Sequence, residues 1–238
     1  MDLPTHALAG MRLAIEETLE TAGVDRVRTI GSVDPLTRDI LAQFERSGGA
    51  LEILDCPCGA SVFPMSTATC AWIVPGVANY YHAYRLLHGI RAVNARQASP
   101  LLILRPQLES AIARRDYYTG TPAVPPAWRH CSETCLVRGE AVERATFKGG
   151  SRNGVLTAIE DFTQELWDEG TALAYTCLPT IGGFCALFDV DADWAAELAY
   201  RLAGFHNSAT AAAMSEQELM DYLDIIDRPR GRPGKPEQ

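Results

Sequence analysis

Lysine is nearly missing from this chain: arginine outnumbers it 19 to 2 across 238 residues. Such a ratio is of the kind a GC-rich genome imposes, and it excludes no function. No apolar run approaches the roughly 18 residues of a membrane span, which argues against a transmembrane protein. The N-terminus lacks a basic stretch followed by an apolar one, so a secretion signal is not expected and the cytoplasm is the expected location. An excess of positive charge is also lacking. The formal net charge of −9 argues against a general nucleic-acid coat, although a local basic site is compatible with it. Most unusual is the lack of any Asp or Glu between Cys56 and Leu108.

What is present suffices for a globular core, with 47% apolar residues. The spacing predicts one α/β domain over 1–227, with 64–135 as a cap or insertion and 228–238 as a disordered tail of proline, glycine and charge. Leu8, Met11, Ile15 and Leu19 keep a helical interval, so the first forty-odd residues read as helix, broken at Gly23. Asp34-Pro35 is a helix start, an N-cap acid followed by proline at the first helical position. A strand is expected at about 50–55, so two helices precede the first strand. Further on, 67–74 reads as strand or buried helix, 79–95 as helix, 101–104 as strand and 106–115 as a short helix. The segment 117–126 holds three prolines and a glycine and reads as a loop or lid. A strand pair is expected around Gly139, then a helix at 155–166. Two strands at 171–178 and 184–190 are joined by a glycine-bearing link, which predicts an antiparallel hairpin. Two helices close the chain, the second with a Ser215/Glu218 capping box.

The stretch 51–63, LEILDCPCGASVF, has the order apolar strand, acid, glycine turn. Its pattern Ile53-Leu54-Asp55-x-x-Cys58-Gly59 resembles the first cofactor motif of class I S-adenosylmethionine-dependent methyltransferases. The helix and hairpin at 155–190 are similar to the C-terminal ending of that fold. The resemblance implies a Rossmann-like central sheet with flanking helices, S-adenosylmethionine as cofactor and methyl transfer to an unknown acceptor. It implies a cofactor-binding turn at Asp55, Cys58, Gly59 and Ser61; no motif names a base, and His82 and His130 are the candidates the sequence offers. The chain departs from the family in having one glycine there, and in lacking an acid about 20 residues after that turn to hold the ribose.

Other chemistry competes for the same residues. Seven cysteines are an odd number, pointing to reduced thiols or a metal site rather than a disulfide framework. Cys56 and Cys58 with Cys131 and Cys135 would supply four soft ligands to a structural zinc, with His130 as a spare. Cys58 could instead be a nucleophile activated by His82 or His130. Cys70, Cys177 and Cys185 sit in apolar surroundings and read as core. Arg85, Arg91 and Arg96, interleaved with Tyr80, Tyr81 and Tyr84, could meet an anionic ligand or a nucleic acid; the plainer expectation pairs them with the acidic C-terminal third. Asp189, Asp191 and Asp193 suit a helix start better than a cation site. Ser151 to Gly154 reads as a turn and cap. The alternative to an enzyme is a non-catalytic relative or a zinc-stabilised binding domain.

Overall fold

The computed structural model describes residues 5–31, 33–54, 69–94, 101–106, 114–118, 124–137, 140–179 and 183–214. In chain order the elements are α1 (Thr5–Thr21), β1 (Val24–Ile30), α2 (Pro35–Arg46), β2 (Ala50–Leu54), β3 (Thr69–Val77), α3 (Tyr80–Asn94) and β4 (Leu101–Pro106). There follow a 3-10 turn (Pro126–Trp128), β5 (Ser132–Val137), β6 (Glu140–Ala145), α4 (Val155–Asp168), β7 (Leu173–Leu178), β8 (Phe184–Asp189) and α5 (Ala195–Leu202). One six-stranded sheet has the order β2-β1-β3-β4-β8-β7. Its first three pairings are parallel and its last two antiparallel. β5 and β6 make a separate antiparallel hairpin, to which Tyr117 adds a bridge opposite Arg144.

The helices cover both faces of the sheet. β3 shows why its residues form a central strand: Ala71 and Ile73 pack into one core while Trp72 and Val74 pack into the other. A strand buried on both faces reads as a continuous apolar run rather than an alternation. β8 divides in the same way, with Phe184, Ala186 and Phe188 on one side and Cys185 and Leu187 on the other. The first core takes its helical residues from α1, α2 and α5, among them Met11, Ile15, Ile40 and Leu198. The second takes Leu87 and Ile90 from α3 and Ile159 and Phe162 from α4.

The local signals at helix ends behave as their chemistry demands. Asp34 Oδ1 accepts the Thr37 N–H at 3.2 Å, and Pro35 stands at the first helical position. Gly23 ends the region of α1 with φ of 57°, a left-handed conformation that glycine adopts without penalty. The C-terminal hairpin is antiparallel, as the short glycine link requires.

Three expectations change. The first forty residues are not all helix: β1 lies between α1 and α2, so one helix, not two, precedes the first strand. Its sequence, VDRVRTI, hides a buried strand behind charges. Arg28 is only 4% exposed, because its Nε donates to Glu52 Oε2 at 2.9 Å and its guanidinium lies 5.3 Å from the Trp72 ring. Second, Pro106 belongs to β4, and Arg114 and Arg115 are not helical, while 107–113, the body of the expected helix, lies outside the described residues. Third, Tyr117 is buried and bridged to β6 rather than part of an open loop. The predicted Ser215/Glu218 capping box, the tail at 228–238 and residues 119–123 lie outside the described residues.

Candidate functional site at the carboxyl edge of the sheet

The strand order fixes where a ligand would meet this fold. From β1 the chain passes through α2 to β2 on one side; from β3 it passes through α3 to β4 on the other. The neighbours β1 and β3 therefore flank a switch in direction. In open α/β sheets the crevice outside the carboxyl ends of such strands is the usual binding place.

Glycines stand at the carboxyl ends of both strands. Gly31 follows β1 with φ of 75°, its N–H donating to the Leu54 carbonyl at 2.9 Å. Gly76, near the end of β3, has φ of 78°. Thr29 pairs with Ile73, so both glycines lie just beyond the last paired row of β1 and β3. A Cβ built at either would meet nothing within 4 Å, so the space beside both is open.

Behind β3 lies a buried polar hub. Asn79, Asp116 and Asn153 are each 0% exposed. Asn79 caps α3, its Oδ1 accepting the His82 N–H at 2.9 Å, while its Nδ2 donates to the Tyr117 carbonyl at 3.1 Å. Asp116 Oδ1 accepts the Tyr80 N–H at 2.6 Å and the Gly154 N–H at 2.7 Å, joining the N-termini of α3 and α4. Both helix dipoles favour an anion at this point. Asn153 completes the hub: its Oδ1 accepts the Asp116 N–H at 2.8 Å, and its Nδ2 donates to the carbonyls of Phe147 and Gly149. Burial pushes the Asp116 carboxyl above the usual carboxylate range, against the opposing pull of the two backbone N–H groups and of His130. Its Oδ2 is buried and makes no hydrogen bond to a described residue. The hub sets the angle between α3 and α4 and retains one acceptor position.

An aromatic cluster closes the outer side. The Trp128 ring lies 6.0 Å from Tyr80 and 5.3 Å from Tyr81. The Arg152 guanidinium lies over Trp128 at 4.8 Å, and Arg152 takes the left-handed φ of 57°. Tyr80 and Tyr84 donate their phenolic O–H groups to Asp161 and Glu165 at 2.8 Å each, tying α3 to α4. Burial first, and the carboxylate partners second, push both phenols up. His88 Nε2 approaches Glu165 Oε2 to 3.1 Å without the alignment of a hydrogen bond.

The sequence-predicted site residues fare unequally. Asp55, Cys56, Cys58, Gly59 and Ser61 lie outside the described residues, as does Arg96. Of the zinc candidates, Cys131 is exposed, and the side chain of Cys135 is not among those described. No group of three or more His, Cys, Asp or Glu able to hold a metal occurs among the described residues. His82 Nδ1 lies 3.2 Å from Asn79 Nδ2. His130 Nε2 donates to the Arg152 carbonyl at 2.9 Å, which makes Nε2 the protonated nitrogen of that ring. Arg91 pairs with Glu169, and Arg85 lies over Tyr81 at 5.6 Å. Arg114 likewise pairs with Glu160 on α4; of the three arginines named above, Arg91 is the one shown with an acid of the C-terminal part.

Sequence reasoning missed Asp116 and gave Asn79 and Asn153 no special role. An Asn before a helical period is a cap signal and could have singled out Asn79. Nothing local marks Asp116, whose partners come from distant segments. No helix among the described residues is long and apolar enough to cross a membrane. In comparison with known proteins, no family model matches the chain and no curated protein matches it.

Proposed function

We propose that this chain has a Rossmann-like sheet that binds S-adenosylmethionine at the carboxyl edge between β1 and β3, as a methyltransferase-like protein. One observation carries the reading: the connections from these two parallel strands run to opposite sides, and the turn after β1 begins at a left-handed glycine, Gly31. Such a turn lets a ligand approach the backbone, while the start of the helix that follows, α2, is already capped by Asp34. Counting from β1 also changes the place of the acid. Asp55 follows β2, 24 residues after Gly31, near the interval of about 20 at which dinucleotide-type folds hold ribose hydroxyls with a carboxylate. The acid that is missing after Asp55 is then Asp55 itself. The antiparallel pair β7 and β8 at the far edge agrees with the ending the resemblance implies.

In this reading alignment of methyl donor and acceptor supplies most of the rate. The hub at Asp116 contributes by holding the starts of α3 and α4 in place beside the crevice.

The test is calorimetric binding of S-adenosylhomocysteine to the purified chain. Micromolar binding is expected, weakened about tenfold or more by Asp55→Asn through loss of hydrogen bonds to a charged group. Gly31→Val should abolish it, while Gly59→Val should change it little. If the wild-type chain does not bind, the methyltransferase reading fails and a non-catalytic scaffold remains. If Gly59→Val abolishes binding and Gly31→Val does not, the turn after β2 holds the cofactor.

A further inference from the structure

Cys177 on β7 and Cys185 on β8 are directly opposite each other in the antiparallel ladder. Both are 0% exposed, and their Sγ atoms lie 2.9 Å apart. The backbone shows which kind of pair this is. The Cys177 N–H donates to His206 Nδ1 at 3.1 Å, and its carbonyl accepts the Asn207 N–H at 3.0 Å. Both groups of Cys177 therefore face away from β8. At the other end of the hairpin, the Val190 N–H donates to the Ala172 carbonyl at 3.2 Å, a hydrogen-bonded pair five rows away. Pairs alternate along an antiparallel ladder, so Cys177 and Cys185 occupy a row without hydrogen bonds between them. In such rows the Cα atoms come to about 4.5 Å, within the range that a disulfide spans.

We propose that Cys177 and Cys185 are a dithiol couple that hydrogen peroxide oxidises to a cross-strand disulfide. One thiolate attacks a peroxide oxygen, the O–O bond breaks, and the departing hydroxide takes up the proton released by that thiol, leaving a sulfenic acid and one water. The second thiol attacks that sulfur, forms the S–S bond and releases its proton with the hydroxyl as a second water. Two electrons pass from the pair of thiols to one peroxide. Burial, with the neighbouring thiol, holds the Cys185 thiol well up, which slows the reaction in the closed fold. β7 is an edge strand, and its local opening admits the oxidant. The couple stands in the row of Leu104 and Val74, near the carboxyl edge where β3 and β4 end, so the bond would fasten the outer strands beside the candidate site. The proposal does not depend on the ligand that site takes.

Trypsin offers a direct readout, because no Lys or Arg lies between Arg152 and Arg201 and one peptide, 153–201, carries both cysteines. The reduced full chain is treated with hydrogen peroxide under native conditions, unfolded, alkylated and digested. The expected peptide is lighter by two hydrogens, takes no alkyl group, and regains two alkylation sites after dithiothreitol. The unfolding midpoint should rise on oxidation in the wild type and in Cys131→Ser, and should not rise in Cys185→Ala. The proposal is overturned if 153–201 stays fully alkylatable while the exposed Cys131 is oxidised. It is equally overturned if either cysteine is recovered linked to another partner.

Discussion

Asp116 is the residue on which most of the buried polar network depends. Its Oδ1 serves two N–H groups that have no access to water, and removing an acceptor from buried donors costs about 1–3 kcal/mol for each. Asp116→Ala is therefore expected to destabilise the chain by about 2 kcal/mol or more in urea unfolding. Asp116→Asn keeps an acceptor for both groups and should be much milder. The two variants also separate charge from geometry. Burial raises the folded-state value of this carboxyl above the ordinary one of about 3.9, so the folded chain binds more protons than the unfolded chain between those values. Its contribution to stability falls as pH rises through that window and is level above it. The stability of Asp116→Asn relative to wild type should accordingly increase from about pH 4 upward; a difference that is flat or declining with pH would contradict this account. Asp34, by contrast, could be identified as a cap from sequence, because its partner Thr37 is three residues away. Asp116 could not be, because its partners lie 36 and 38 residues distant.

The pairing of α3 with α4 belongs to the scale of elements. Periodicity located both helices, and their contact is made specific by Tyr80 to Asp161 and Tyr84 to Glu165. Tyr80 is 4% exposed, so its ring belongs to the core while its O–H reaches the helix edge. Tyr80→Phe should keep the packing and lose one hydrogen bond to a charged group. The expected cost is roughly 1.5 kcal/mol, the low end for such bonds because Asp161 remains open to water. Thermal or denaturant unfolding measures it, and an unchanged midpoint would mean that the bond adds nothing to the pairing. The element that sequence reading lost was β1. Its Asp and Arg residues break the apolar run that marks a buried strand, and Arg28 is received inside by Glu52 and Trp72, from the two flanking strands.

For the molecule as a whole, the sheet divides the interior into two cores with separate helix layers. Ile40 is 2% exposed in one and Ile159 is 0% exposed in the other. Each Ile→Val change should cost about 0.5–1.5 kcal/mol. Because the two residues belong to separate cores, the double variant should show the sum to within about 0.5 kcal/mol. A larger discrepancy would mean that the cores are coupled through the sheet.

The amino-acid sequence alone determined most of the elements: the amphipathic faces of α1, α2, α4 and α5, the Asp34-Pro35 cap and the C-terminal hairpin. Each is written in contacts a few residues apart, where periodicity, capping and turn chemistry act. Only the tertiary structure decided that β1 lies between β2 and β3, and that Gly31 and Gly76 lie just beyond the last paired row of β1 and β3. It alone brought Asp116 to two helix starts and set Cys177 opposite Cys185 in a row without hydrogen bonds. Strand order and buried polar partners are settled by which segments exclude water together, and those segments are far apart along the chain. Its local spacing therefore carries no trace of them.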